Sequence, residues 1–133
     1  KPNRKIFDAI VSDLEALSNE CLMIGDDFAV DIVNLCRQIK EIKRESVLTN
    51  QLLRAGTSIG ANIHESKYAH GTADFIAKMQ IALKECYESE YWLELLYRTG
   101  YIADAQYKPL QNCCGAIRRM LISSINTVKG NQK

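Results

Sequence analysis

The chain has 133 residues, which suits one domain around one core. Apolar residues make up 47 % and charged residues 25 %, the balance of a soluble globular protein. No apolar run approaches the roughly 18 residues a membrane span needs, and a net charge of +1 excludes a polycation that holds nucleic acid by bulk charge.

The first residues, KPNRKIFDAI, lack a long apolar run and a small-residue cleavage site, so no signal peptide is expected. Ile6, Ile10, Leu14 and Leu17 then predict a short N-terminal helix inside a leader, residues 1–26. The leader is acidic: residues 6–34 hold seven acids and no Lys or Arg. A longer helix is predicted over 27–43, where Phe28, Ile32, Leu35, Cys36, Ile39 and Ile42 share one face. A second follows over 46–68, with Leu48, Leu52, Ala55, Ile59 and Ile63. A third covers 72–99, with Phe75, Met79, Ala82, Leu83, Cys86, Leu93 and Leu96. The last runs to 128, with Leu110, Cys114, Ile117, Leu121, Ser124 and Val128. Pro109 suits a start at Lys108 and sits awkwardly with one at Ala105, and the pattern leaves both open. Gly25, Gly71, Gly100 and Gly130 stand where helices would end. No segment alternates as a strand does. Short links set successive helices antiparallel. The fold expected is all-α: an antiparallel up-down four-helix bundle with a short extra N-terminal helix. It forms a single domain, 1–133, with the bundle at 27–128.

One stretch differs from the rest: LLRAGTSIGANIHES, residues 52–66. It follows no strand and contains no lysine, so it is not a phosphate loop. Gly56 and Gly60 lie four apart on one helical face, where missing side chains let another backbone approach. Each interior glycine costs about 1 kcal/mol against alanine, so two call for a packing reason. Arg54, Ser58, Asn62 and Glu65 form a polar stripe on the same helix. The third helix carries a second stripe, Asp74, Lys78, Ile81, Glu85 and Glu88. These stripes are either two solvated faces or a hydrogen-bonded seam between helices or subunits. In the seam reading Arg54 meets Glu85 or Glu88 through its planar fork.

The chemistry of cofactor sites finds little to use. Cys21, Cys36, Cys86, Cys113 and Cys114 form no CxxC pair and no zinc spacing, so they read as buried thiols of a reducing compartment. His64 and His70 have no Glu three residues before them, so the Glu-x-x-His of di-metal bundles is missing. No Ser or Cys sits in a nucleophile motif with a His partner. No catalytic residue, metal or cofactor is expected.

"QLLRAGTSIGANIHES" followed by "DFIAKMQIALKECYESEYWLELLYRTGYI" resembles the four-helix-bundle family encoded in intervening sequences of large-subunit ribosomal RNA genes. It is also similar to the related accessory variability proteins of diversity-generating retroelements. The likeness covers about residues 28–128. It rests on Gln51, Arg54, the SIGANI core with Asn62, Glu65, Asp74, Phe75, Lys78, the ALKE run, Glu88 and the YWLELL run. The resemblance implies a cytoplasmic bacterial protein, a ring-like homopentamer and no enzymatic activity. The retroelement branch binds a reverse transcriptase and nucleic acid through a strongly basic ring. A net charge near zero departs from that pattern, and Gly71 stands where relatives often have a serine cap.

Two functions are therefore expected in competition. One is a homo-oligomeric scaffold working through protein partners, with Tyr87, Tyr91, Trp92 and Tyr97 as interface aromatics. The other is a nucleic-acid-binding accessory protein using Arg37, Lys40 and Arg44 on one face, with Arg118 and Arg119 on the last helix.

Overall fold

Four helices follow one another in a computed structural model that describes the backbone of residues 4–131 and the side chains of residues 19–130. They are α1 (Arg4–Lys43), α2 (Val47–Ser66), α3 (Thr72–Arg98) and α4 (Asp104–Asn131). Each packs on its neighbours in sequence, and α4 returns to α1, which closes an up-down ring. The apolar faces meet inside it. Phe28 and Ile32 of α1, Leu52, Ile59 and Ile63 of α2, Met79, Leu93 and Leu96 of α3, and Ile117 and Leu121 of α4 are fully buried. Each such side chain is worth about 1.5–3 kcal/mol relative to exposure.

The chain ends its helices with specific backbone devices. Arg44 leaves α1 in the left-handed region, φ 56°. Glu45 then caps α2, accepting the N–H groups of Leu48 at 2.7 Å and Thr49 at 3.0 Å. Partial burial works against its charge, but these donors outweigh it and hold the Glu45 carboxyl below its ordinary value. Gly71 precedes α3 at φ 144°, a conformation essentially reserved for glycine. Ala103 precedes α4, and its N–H donates to Gln106 Oε1 at 3.1 Å, a side chain reaching back from the third helical position.

Five expectations change. The leader is not a separate short helix, because α1 runs unbroken from Arg4 to Lys43. The side chains of its apolar positions Ile6, Ile10, Leu14 and Leu17 lie outside the described residues. Gly25 is not a helix end: it sits inside α1, where a Cβ would stand 3.5 Å from the Cα of Gly60. Gly130 lies within the last turn of α4. Ile42 is 73 % exposed, one residue before the end of α1. Of the two starts for α4, the helix takes neither, beginning at Asp104 with Pro109 inside it. Pro109 then leaves the Ala105 carbonyl without its helical N–H.

Candidate functional site

The two faces of α2 are used differently. The glycine face meets α1. A Cβ at Gly56 would come within 3.0 Å of Ile32 Cγ2, and one at Gly60 within 3.6 Å of the Gly25 carbonyl carbon. The α1 and α2 backbones therefore cross in near contact at Gly25 and Gly60, the close approach that glycines permit.

The polar face meets α3. Arg54 Nη1 donates to Glu85 Oε2 at 3.2 Å, and its Nη2 donates to Glu88 Oε1 and, at 3.3 Å, to Gln51 Oε1. One guanidinium thus spans two carboxylates a helical turn apart, with one nitrogen of its planar fork to each. Glu85 is buried, at 8 % exposure, while the Arg54 side chain remains half exposed. Burial pushes the Glu85 carboxyl up, the neighbouring Glu88 adds to this, and Arg54 opposes it. Glu88 also meets a desolvation penalty, but the donors Arg54 and Trp92 Nε1 hold it below its ordinary value.

The rest of the stripe divides. Glu65 crosses to Lys78 of α3 at 3.0 Å. Ser58 and Asn62 satisfy each other along α2: Asn62 Nδ2 donates to the Ser58 carbonyl at 2.9 Å and to its hydroxyl at 3.1 Å. The seam consequently has two ion-pair anchors, Arg54 with Glu85 and Glu88, and Glu65 with Lys78. Ile81 lies exposed between them.

The basic residues are scattered among different environments. Arg37 and Lys40 line a shallow hollow with Val33, Cys36 and Leu53. Arg44 stands at the α1–α2 turn and Arg119 is exposed on α4. Arg118 is already engaged, donating to Glu90 Oε1 at 3.1 Å with its guanidinium 5.9 Å from the Tyr87 ring centre. The Glu90 partner was not anticipated from sequence. It lies 28 positions away and is one of several acids on α3, so spacing offers no signal for it.

All five cysteines are free thiols. Burial pushes Cys21 and Cys36 up to about 11, which keeps them protonated and poor nucleophiles at neutral pH. The described residues contain no group of three or more His, Cys, Asp or Glu suited to a metal, and no helix among them is long and apolar enough to cross a membrane.

Residues 18–123 match the family model for the 23S rRNA-intervening sequence protein. Residues 1–34 also match a model described as HAD-hydrolase-like, a stretch too short to show a family. No curated protein matches. Among solved structures, the chain is similar to a crystal structure, at 1.70 Å, of a protein with unknown function from the S23 ribosomal protein family of Bacteroides thetaiotaomicron VPI-5482. The two are 50 % identical with a TM-score of 0.78, over 79 % of this chain and 97 % of that one.

Fold and seam together define an up-down four-helix bundle whose second and third helices are joined by ion pairs. The family match spans most of that bundle, seam included. The chain belongs to the 23S rRNA-intervening sequence protein family.

Proposed function

We propose that this protein is a non-enzymatic, cytoplasmic scaffold, assembled from identical copies in a ring of five, that acts by binding protein partners. The observation that carries this is the outer face of α3. Ile81, Tyr87 and Tyr91 are 42 %, 49 % and 56 % exposed there, with half-buried Trp92 packed edge-on against Tyr91. Aromatics of this kind are enriched in protein interfaces. Free thiols fit a reducing compartment. The fivefold ring is what resemblance to relatives implies. Light scattering on the full chain at micromolar concentration tests the reading. A native mass of five protomers supports it, and a monomer overturns it.

A second reading is a nucleic-acid-binding accessory protein that partners a reverse transcriptase, as the resemblance to the retroelement accessory proteins implies. Arg37, Lys40 and Arg44 support it, because they stand together near the C-terminal end of α1, where no ion pair engages them among the described residues. Filter binding with single-stranded RNA at about 50 mM salt, where phosphate contacts are strongest, tests it. Absence of retention there removes it.

A further inference from the structure

The outward face of α3 is a stripe that the rest of the bundle leaves exposed. Gln80, Lys84, Tyr87, Tyr91, Glu94 and Arg98 recur there at alternating four- and three-residue steps, and each is exposed. They point away from Met79, Ala82, Cys86 and Leu93, which the same helix buries. The stripe runs for about 27 Å along the helix axis. Its two tyrosines are braced by their own chain. Tyr87 has the Arg118 guanidinium 5.9 Å from its ring centre, and Tyr91 packs edge-on against Trp92 at 5.0 Å between centroids. Lys84, Glu94 and Arg98 enter no ion pair among the described residues.

The order of these residues is self-complementary. Turned end over end about position 89, the stripe exchanges Tyr87 with Tyr91, Lys84 with Glu94, and Gln80 with Arg98. Every exchange has the same midpoint, so one register satisfies all of them.

We propose that this face binds the same face of a second copy of the chain, the two α3 helices lying antiparallel about a twofold axis near Ser89. A twofold contact uses one patch twice, so each exchange becomes a contact made two times over. Tyr87 meets Tyr91 of the second copy in the central layers, where interface aromatics contribute most. Lys84 meets Glu94 of the second copy on either side of them, as opposite charges. Arg98 meets Gln80 of the second copy at both ends. A parallel arrangement sets Lys84, Glu94 and Arg98 each against itself, so like charges meet in every charged layer and the antiparallel pairing is selected. Glu88 and Glu90 flank the stripe near the axis, where the carboxylates of both copies draw together. Arg54 and Arg118 of their own chains already hold them. The pairing rests on the reading of α3 as an interaction face and names its partner. It does not rest on the ring: a twofold contact cannot close five protomers, so it joins protomers, or whole rings, in pairs.

Sedimentation of the full chain over a rising concentration series at low salt is the test. The native mass of the parent should double. Lys84→Glu, a change at an exposed side chain, should weaken the doubling more than about tenfold, as should Glu94→Lys. An equimolar mixture of the two variants should double again, because each supplies the charge the other lacks. That recovery separates pairing from misfolding. A parent that never doubles, variants that double as the parent does, or a mixture no better than its components overturns the pairing. The unit that doubles reports on the ring separately: a unit of five protomers keeps the ring, and a single protomer removes it.

Discussion

Gly56 and Gly60 share a face of α2 but tolerate different side chains. A Cβ at Gly60 would press on Asp26 Oδ1 at 3.1 Å, the free end of an exposed side chain, and otherwise make ordinary contacts. A Cβ at Gly56 would meet Ile32 at 3.0, 3.2 and 3.4 Å, three atoms of one fully buried side chain. Gly60→Ala should therefore be near neutral, with steric cost offset by about 1 kcal/mol of helix propensity. Gly56→Ala should lose about 1–3 kcal/mol through overpacking. Gly60→Leu, whose branch must enter the Gly25 backbone, should prevent the α1–α2 crossing and disrupt folding. Urea denaturation orders the three; equal midpoints for Gly56→Ala and Gly60→Ala would contradict the geometry. A second prediction concerns Arg54. Arg54→Ala leaves Glu85 buried beside Glu88 with no cation, and should cost about 1–3 kcal/mol near neutral pH. Because burial already raises the Glu85 carboxyl, its ionised form is the destabilising one, and removing Arg54 raises it further. The stability deficit should be greatest above the raised value and shrink as the pH falls through it, a trend that melting curves at several pH values would read. In the sequence, three- and four-residue spacing separated Arg54, Glu85 and Glu88 into stripes. It left solvated faces and a seam equally open, because the choice depends on which helix lies alongside.

At the scale of the helices, the interior patterns were legible and several ends were not. Predicted spans of 46–68 and 72–99 lie close to α2 and α3, because their apolar faces are continuous and Gly71 and Gly100 adopt positive φ at the links. The break predicted after Gly25 fails for a definite reason. A glycine followed by two aspartates resembles one helix ending and another being capped, while the partner that explains it, Gly60, is 35 positions away. The start of α4 was hidden because Gln106 supplies the cap in place of the usual Ser, Thr, Asp or Asn. Glu45 supplies the corresponding service to α2. Its carboxyl is held below its ordinary value, so its contribution is present above about pH 4.3 and is lost as the pH falls below that. Glu45→Ala should cost about 1 kcal/mol at pH 7, and the gap to the parent should close as the pH falls through the lowered folded-state value. A gap that stayed constant with pH would show that the carboxylate's charge does not stabilise the helix start.

At the scale of the molecule, charge is spread unequally while the total stays near zero. Residues 6–34 carry seven acids without a Lys or Arg, whereas residues 35–54 carry five bases against two acids. Two of those bases, Arg37 and Lys40, flank a shallow hollow, and Arg44 follows at the turn, while Arg54 is held in the seam. Arg118, on α4, is similarly held by Glu90. The set Arg37, Lys40 and Arg44 therefore offers three cations to a phosphate backbone, a small number set against the acids upstream on the same helix. Each phosphate neutralised on a single strand contributes about −0.7 to the slope of log affinity against log salt, so three predict about −2 per protomer. Several protomers acting on one strand would multiply that slope. A measured slope near zero, or one unchanged by Arg37→Glu with Lys40→Glu, would show that this end of α1 does not touch nucleic acid. Arg118→Gln should leave the slope nearly unaltered and instead lower stability, since it removes the partner of a Glu90 side chain that is only 18 % exposed. Separating those two effects, slope from stability, distinguishes a basic binding face from arginines that serve the fold.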